Sequence, residues 1–400
     1  PMWYASPIGP DVTLEVSYNS QSSITYHEPF GNKWQFNYSS YLVVDPSGTV
    51  TIFMPDGRID DYAPDGSGGF NQPYRVHNTL TKIADNHYEL LFPDGTAYIY
   101  NIPSGTDSLQ PFLVEIRDVY GQKVTLGYNA NVQLVSVTDA LNRMTALQYS
   151  PAGLVTNIAD PFGRTAQFAY DANANLIKIT DMAGYWTSLA YDTNSYLTGL
   201  ADDRGTSQFQ IEPADGIGNG SNHYPPPGGI MWEDYRITVT DPMGNKEEFY
   251  YDGYSSVGWH VAPKYYVDYV DNTINNYASQ TERTWFYYTV VGSDGNGELT
   301  RVTDPTGGFE EFTYNYSTGD RISSTDAHGH KTYFSYNGMG NIVSMTDPRT
   351  NTTTFTYATN GVDLLTISNG LGAVRMMYNA QHDLVSVADR TSNTTTFTYN

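Results

Sequence analysis

The sequence predicts an all-β fold, a spiralling ribbon of tandem β-hairpins with about 21 residues per hairpin. Three observations carry that prediction. A tyrosine recurs at a near-constant interval, an apolar residue stands two places before it, and an Asp- and Gly-containing turn precedes most of these pairs.

The tyrosine column runs Tyr128, Tyr149, Tyr170, Tyr191, Tyr251, Tyr314, Tyr336, Tyr357, Tyr378 and Tyr399. Its companion column is Leu126, Leu147, Phe168, Leu189, Phe249, Phe312, Phe334, Phe355, Met376 and Phe397. Successive strand residues point to opposite faces, so a spacing of two puts both columns on one face. The residues between them are mostly polar or small, as at Gln148, Ser335 and Thr356. Each repeat therefore opens with a half-buried strand.

The turns have their own chemistry. Asp160-Pro161-Phe162-Gly163, Asp241-Pro242-Met243-Gly244 and Asp304-Pro305-Thr306-Gly307 follow the type I preference for Asp, Pro and Gly at the first, second and fourth positions. Asp160, Asp241, Asp304 and their partners Gly163, Gly244 and Gly307 are thus read as structural turn residues. A second turn follows each tyrosine, as between Tyr170 and Leu176, and leads into a second strand such as Ile177 to Thr180. One hairpin alone is marginal in water. Chained hairpins bury their columns by stacking on their neighbours, and a long ribbon must twist.

Two regions are expected: an irregular β-meander over 1–117 and the repeats over 118–400. The repeat frame breaks twice, which predicts insertions at about 206–237 and 252–297 that leave the ribbon and bring Trp232 near Trp259. The second insertion holds the candidate partner or glycan contacts Trp259, Tyr265, Tyr266, Trp285 and Tyr287, since exposed aromatics stack on sugars or anchor proteins. Packing of these rings onto the ribbon outweighs exposure, because aromatics are mostly core.

Composition narrows the function. Across 400 residues, 20 basic side chains face 43 acidic ones, a net charge of −23 that repels phosphate backbones and argues against nucleic acid. Cysteine is absent, which excludes disulfides and thiolate metal sites. No window reaches the length and apolarity of a membrane span.

The unit Gly163-x6-Tyr170-Asp171-x4-Leu176-x2-Ile179-x-Asp181 resembles the YD repeat of bacterial Rhs proteins, of the C component of Tc toxins and of teneurins. The resemblance covers roughly 118–400. More loosely, the opening from Pro1-Met2-Trp3-Tyr4 through Trp34 is similar to the segment that precedes the repeats in large secreted Rhs-type proteins. It implies a hollow shell of β-hairpins, which encloses a C-terminal toxin in the toxin members and displays adhesive surfaces in teneurins. The sequence departs from the toxin members in lacking their C-terminal core motif, so encapsulation is expected only of a longer parent chain.

Signatures of catalysis are missing. There is no Gly-Lys dipeptide for a P-loop, and His27-Glu28 stands without the second histidine of a zinc protease. The aspartates recur with the repeat, which favours turn capping over acid–base work. His328-Gly329-His330 reads as a solvated turn rather than a metal site, and Asp294 to Glu298 as an ordinary Gly-rich loop. The expectation is a structural, non-enzymatic, secreted or cell-surface bacterial shell or fibre segment, with no cofactor and no metal. Its expected partners are other segments of a longer chain, identical subunits in a surface assembly, glycans or an enclosed toxin. The alternatives are a toxin capsule and an adhesin or glycan-binding module.

Overall fold

The computed structural model describes residues 1–20, 22, 29–213, 235–252, 257–265, 283–289 and 297–399. Almost all regular structure among them is β; the exception is a short 3-10 turn, Pro263–Tyr265. From Thr79–Ala84 to Thr394–Thr396, each described strand pairs antiparallel with the next in sequence order. Sheet pairing also runs across the 117/118 boundary, where Glu115 stands opposite Thr125. The earlier strand Tyr41–Val44 meets Phe112–Arg117 through the pair Tyr41 and Phe112, so the ribbon curls back onto its own start.

Alternation along the strands produces the core. In Thr165–Tyr170 the side chains of Ala166 and Phe168 are buried while Thr165, Gln167 and Ala169 are exposed. Val137, Ile158 and Leu176, on the returning strands, are wholly buried. Full burial of such a side chain contributes about 1.5–3 kcal/mol.

Most of the repeat hairpins also carry one register shift, immediately before the tyrosine. Gly127 faces Ser136 but Tyr128 faces Leu134, and the same slip occurs at Tyr149, Tyr170, Tyr191, Tyr314, Tyr336, Tyr357 and Tyr378. A bulge bends the strand and increases its right-handed twist, so a bulge per repeat coils the ribbon. The slip is already present at Tyr100, opposite Leu113, ahead of the expected start of the repeats.

The described residues among 1–38 do not pair with the ribbon strands. They form two small sheets, Met2–Tyr4 with Val12–Leu14 and Val16–Tyr18 with Trp34–Phe36, which lie on its buried face. In a ribbon of hairpins, the turns that precede the tyrosine strands share one edge and those that follow share the other. The first residues grip the former edge: Pro1 O accepts from Met182 N at 3.2 Å and Trp3 O from Arg164 Nη2 at 3.1 Å. Later ones grip the opposite edge: Pro29 O accepts from Val155 N at 2.8 Å, and the Tyr18 hydroxyl donates to Ser195 O at 3.1 Å. The segment therefore spans the ribbon from edge to edge and covers the columns between Val124 and Leu189.

The later repeats rest on the earlier strands. Arg75 N donates to Thr318 O at 3.1 Å, and His77 Nε2 lies 2.9 Å from Asp320 Oδ1. Glu298, fully buried, takes both the Arg75 guanidinium and the Tyr74 hydroxyl. These contacts join positions more than two hundred residues apart, the mark of a spiral that passes its own beginning.

The described residues of the two excursions differ from expectation. Residues Gly205–Pro213 and Tyr235–Thr240 pair over six positions, so the described ends of the first excursion lie in the sheet. Val257–Val261 and Thr284–Tyr288 pair with each other and with the strands on either side, so these described parts of the second excursion are ribbon strands. Runs such as Trp285-Phe286-Tyr287-Tyr288 are strong strand formers, which accounts for the difference. Trp232 lies outside the described residues.

Candidate functional site

The repeated chemistry of the chain sits in its turns, its tyrosines and its aromatic hairpin. In the turns, Asp160 Oδ1 accepts from the backbone N–H of Phe162 at 2.9 Å and of Arg164 at 2.8 Å, and Oδ2 accepts from Arg164 Nε at 2.5 Å. Asp241 repeats the pattern with Met243 and Asn245, and Asp304 with Thr306 and Gly308, all at 2.8 Å. Gly163 takes φ 82°, a left-handed value that suits glycine, and completes a type I turn with a bulge. Side-chain hydrogen bonds from Asn245 and from Thr306 lead the causes that hold Asp241 and Asp304 below the usual carboxylate range. A carboxylate saturated with turn donors is a cap.

The tyrosines form a ladder. The hydroxyl of Tyr128 donates to Leu113 O, Tyr149 to Leu134 O, Tyr170 to Val155 O, Tyr191 to Leu176 O and Tyr314 to Leu299 O, each at 2.7 Å. Tyr336 reaches Arg321 O at 3.0 Å, Tyr357 reaches Ile342 O at 3.2 Å and Tyr399 reaches Leu384 O at 2.9 Å. Tyr378 bonds the backbone of Leu364. Every acceptor is the residue that faces the preceding bulge tyrosine across its hairpin. The hydroxyl thus serves a carbonyl at the irregular point of the neighbouring repeat, where ladder bonding is disrupted. Burial pushes the hydroxyl pKa of Tyr128, Tyr149, Tyr170 and Tyr191 well above the ordinary phenol value.

Two members were not legible from the column alone. Tyr100 shares the bulge but bonds Ser40 Oγ at 2.8 Å instead of a strand carbonyl. Tyr288 bulges opposite Leu299, whose carbonyl serves Tyr314, so it restarts the ladder after the break. Tyr251 lies in Lys246–Asp252, whose pairing with Val257–Val261 has no slip. Its side chain is outside the described residues. The readable signal was an apolar residue six or seven places after most bulge tyrosines, as at Leu134, Val155, Leu176, Ile342 and Leu384.

The aromatic hairpin packs on itself. Trp259 is 4% exposed, stacks on Tyr250 with centroids 3.6 Å apart, and donates through Nε1 to Glu248 Oε1 at 3.2 Å. Arg283 lies over its ring at 4.5 Å, and Trp285 is tilted against it at 5.4 Å. Trp285 and Tyr287 are half-buried. Tyr265 ends the 3-10 turn with its side chain outside the described residues, and Tyr266 is wholly outside them. His330 Nδ1 pairs with Asp326 Oδ2 at 3.0 Å in an exposed turn. Among the described residues no group of three or more His, Asp or Glu side chains is placed to hold a metal ion.

The family model named RHS Repeat matches residues 128–165, 149–185 and 314–352. These hairpins are RHS repeats. Each matched stretch opens on a bulge tyrosine, Tyr128, Tyr149 or Tyr314. No curated protein matches the chain by sequence. Similar solved structures include the TcdB2-TccC3-Cdc42 crystal structure, at 11% identity and TM-score 0.40, over 87% of this chain and 18% of that one. The TcdB2-TccC3 crystal structure gives 10% identity and TM-score 0.40 over the same shares. The Photorhabdus luminescens Tc holotoxin pore gives 10% identity and TM-score 0.25, over 95% of this chain and 24% of that one. The chain thus spans less than a quarter of the length of these relatives. The RHS repeats are part of one continuous sheet that extends to both sides of the matched residues.

Proposed function

We propose that the chain is a structural length of a bacterial β-shell wall, secreted or held at the cell surface, without catalysis of its own. One observation carries this reading: each RHS repeat is tied to the one before it by a tyrosine hydroxyl, in an unbroken antiparallel ribbon. The abundant aspartates support it, because their oxygens are engaged in turns that recur with the repeat. Its partners on this reading are neighbouring parts of the same wall, within one chain or between identical subunits. Small-angle X-ray scattering on the full chain tests it. A distance distribution with a depleted centre is expected, and a solid compact particle overturns the reading.

A second reading, a capsule around a C-terminal toxin, draws on a change in burial along the ribbon. Val137 and Ile158 are wholly covered, whereas every residue of Ile342–Thr346 and Leu384–Ala388 is part-exposed. An unfolded polypeptide fused after Asn400 would be protected from trypsin on this reading and freely digested on the first. An adhesive or glycan-binding role for the aromatic hairpin would fall to Trp285 and Tyr287, because Trp259 is enclosed.

A further inference from the structure

A cavity of about 240 Å³ lies where the segment from Pro29 to Tyr41 crosses the ribbon edge. Its walls come from that segment, from the turn 131–134 and from the neighbouring turn 152–154. Three properties of the lining restrict what can enter.

First, none of its fifteen residues is charged, in a chain with 43 acidic side chains. A charged ligand would lose its hydration without gaining a counter-charge. The surrounding charge of −23 further opposes anions. Second, aromatic rings line the cavity in series: Tyr41 and Phe112 have centroids 5.8 Å apart, as have Phe112 and Tyr128. Such rings offer rigid apolar surface. Third, neutral hydrogen-bonding groups are left over. Gln133 accepts from Asn129 through Oε1 at 2.8 Å, which leaves its Nε2 hydrogens for a ligand. Among the described residues, no hydrogen bond engages the Asn131 side-chain amide or the Ser39 hydroxyl.

The mouth carries a further mark. Val132 lines the cavity at φ 61°, in the left-handed region, where a β-branched residue is strained. The equivalent turn position in the next repeat is Gly153. An apolar side chain is thus held at the rim at a backbone cost the neighbouring repeat avoids.

Aromatic walls, neutral amides and hydroxyls, no charge and a volume of this size describe the recognition of a polyhydroxylated ring. We propose that this cavity binds an uncharged hexose-sized sugar. The proposal is independent of the shell reading, because it uses only the local lining.

The test is saturation-transfer NMR on the full chain with the methyl glycosides of glucose, galactose, mannose and N-acetylglucosamine. Each is offered at roughly 10 mM, above the weak-binding range near 1 mM. Transfer to the ring protons of at least one glycoside is expected. Ala152 is an exposed turn residue on the rim, and Ala152→Trp fills the mouth without emptying the core. That variant should abolish transfer at an unchanged melting temperature. If it unfolds the chain, Asn131→Leu decides instead, with roughly tenfold weaker binding expected from loss of a ligand hydrogen bond. Silence from all four glycosides, or transfer that persists unchanged in the folded variant, overturns the proposal.

Discussion

The hydroxyl of Tyr149 lies 2.7 Å from the carbonyl oxygen of Leu134, the residue that faces Tyr128 across the preceding hairpin. Leu134 sits where the strand register slips. The slip coils the ribbon, and the next repeat supplies the donor that the slipped carbonyl takes up. Curvature and cohesion therefore meet at one atom pair, repeated along the chain.

Tyr170→Phe separates the hydroxyl from the ring. It keeps the packing but removes the donor to Val155 O, so it should cost about 1–2 kcal/mol in a urea melt. Tyr170→Ala, which also empties the ring site, should cost about 3–5 kcal/mol. Equal stability of Tyr170→Phe and wild type would mean that the carbonyl finds another donor.

The ladder also fixes a response to alkali. The folded pKa values of Tyr128, Tyr149, Tyr170 and Tyr191 lie above the unfolded value of about 10. Above that pH the unfolded chain releases protons that the folded chain keeps, so stability falls as pH rises. Below it the contribution is complete. The part of the tyrosinate absorbance that comes from these four rings should therefore appear together with loss of the β circular dichroism signal. Ordinary titration near pH 10 of every tyrosine in a folded chain would contradict this.

Gly31→Ala tests the covering segment. Gly31 has φ 88°, and a Cβ there would collide with the carbonyl oxygen of Ala174. Asn32, next to it, bonds Ala174 O and Asn173 O. The variant should lift residues 1–38 from the edge they grip. Limited proteolysis should then cut near residue 30 faster than in wild type while the ribbon beyond residue 200 stays resistant. Unchanged cutting would place the anchor elsewhere.

Arg75→Ala tests the contact between successive courses of the spiral. It leaves the buried Glu298 carboxylate with Tyr74 but without its cation. The cost should be about 2–3 kcal/mol, below the full value for a buried pair because Arg75 is itself exposed. Hydrogen exchange should quicken in residues 298–320 and not in 144–170. Uniform quickening would mean that the ribbon melts as one unit.

The repeat, its turns and its all-β character were legible because each is local. Asp160 to Gly163 encodes its turn within four residues, and Phe168 and Tyr170 declare their shared face by spacing alone. The partners of the tyrosine hydroxyls were not legible, since they depend on a slip between strands that no single strand announces. Nor was the role of residues 1–38, whose edge-to-edge contacts join positions such as Trp34 and Tyr191. The aromatic hairpin was read as an excursion because it breaks the period. Its strands join the sheet because pairing asks for strand-forming residues, not for a fixed interval.

Each repeat gives one hydroxyl backward and presents one carbonyl forward, and both obligations end at the adjacent unit. Removing or duplicating a whole unit would leave donors and acceptors in balance along the seam. Such a wall can change in length by whole units with no compensating substitution elsewhere along the seam. Units under the covering segment, where Pro29 and Asn32 take hold of particular turns, and units that meet Arg75 and His77 are bound to a fixed count. Growth and loss of the wall should therefore concentrate away from both sets of contacts.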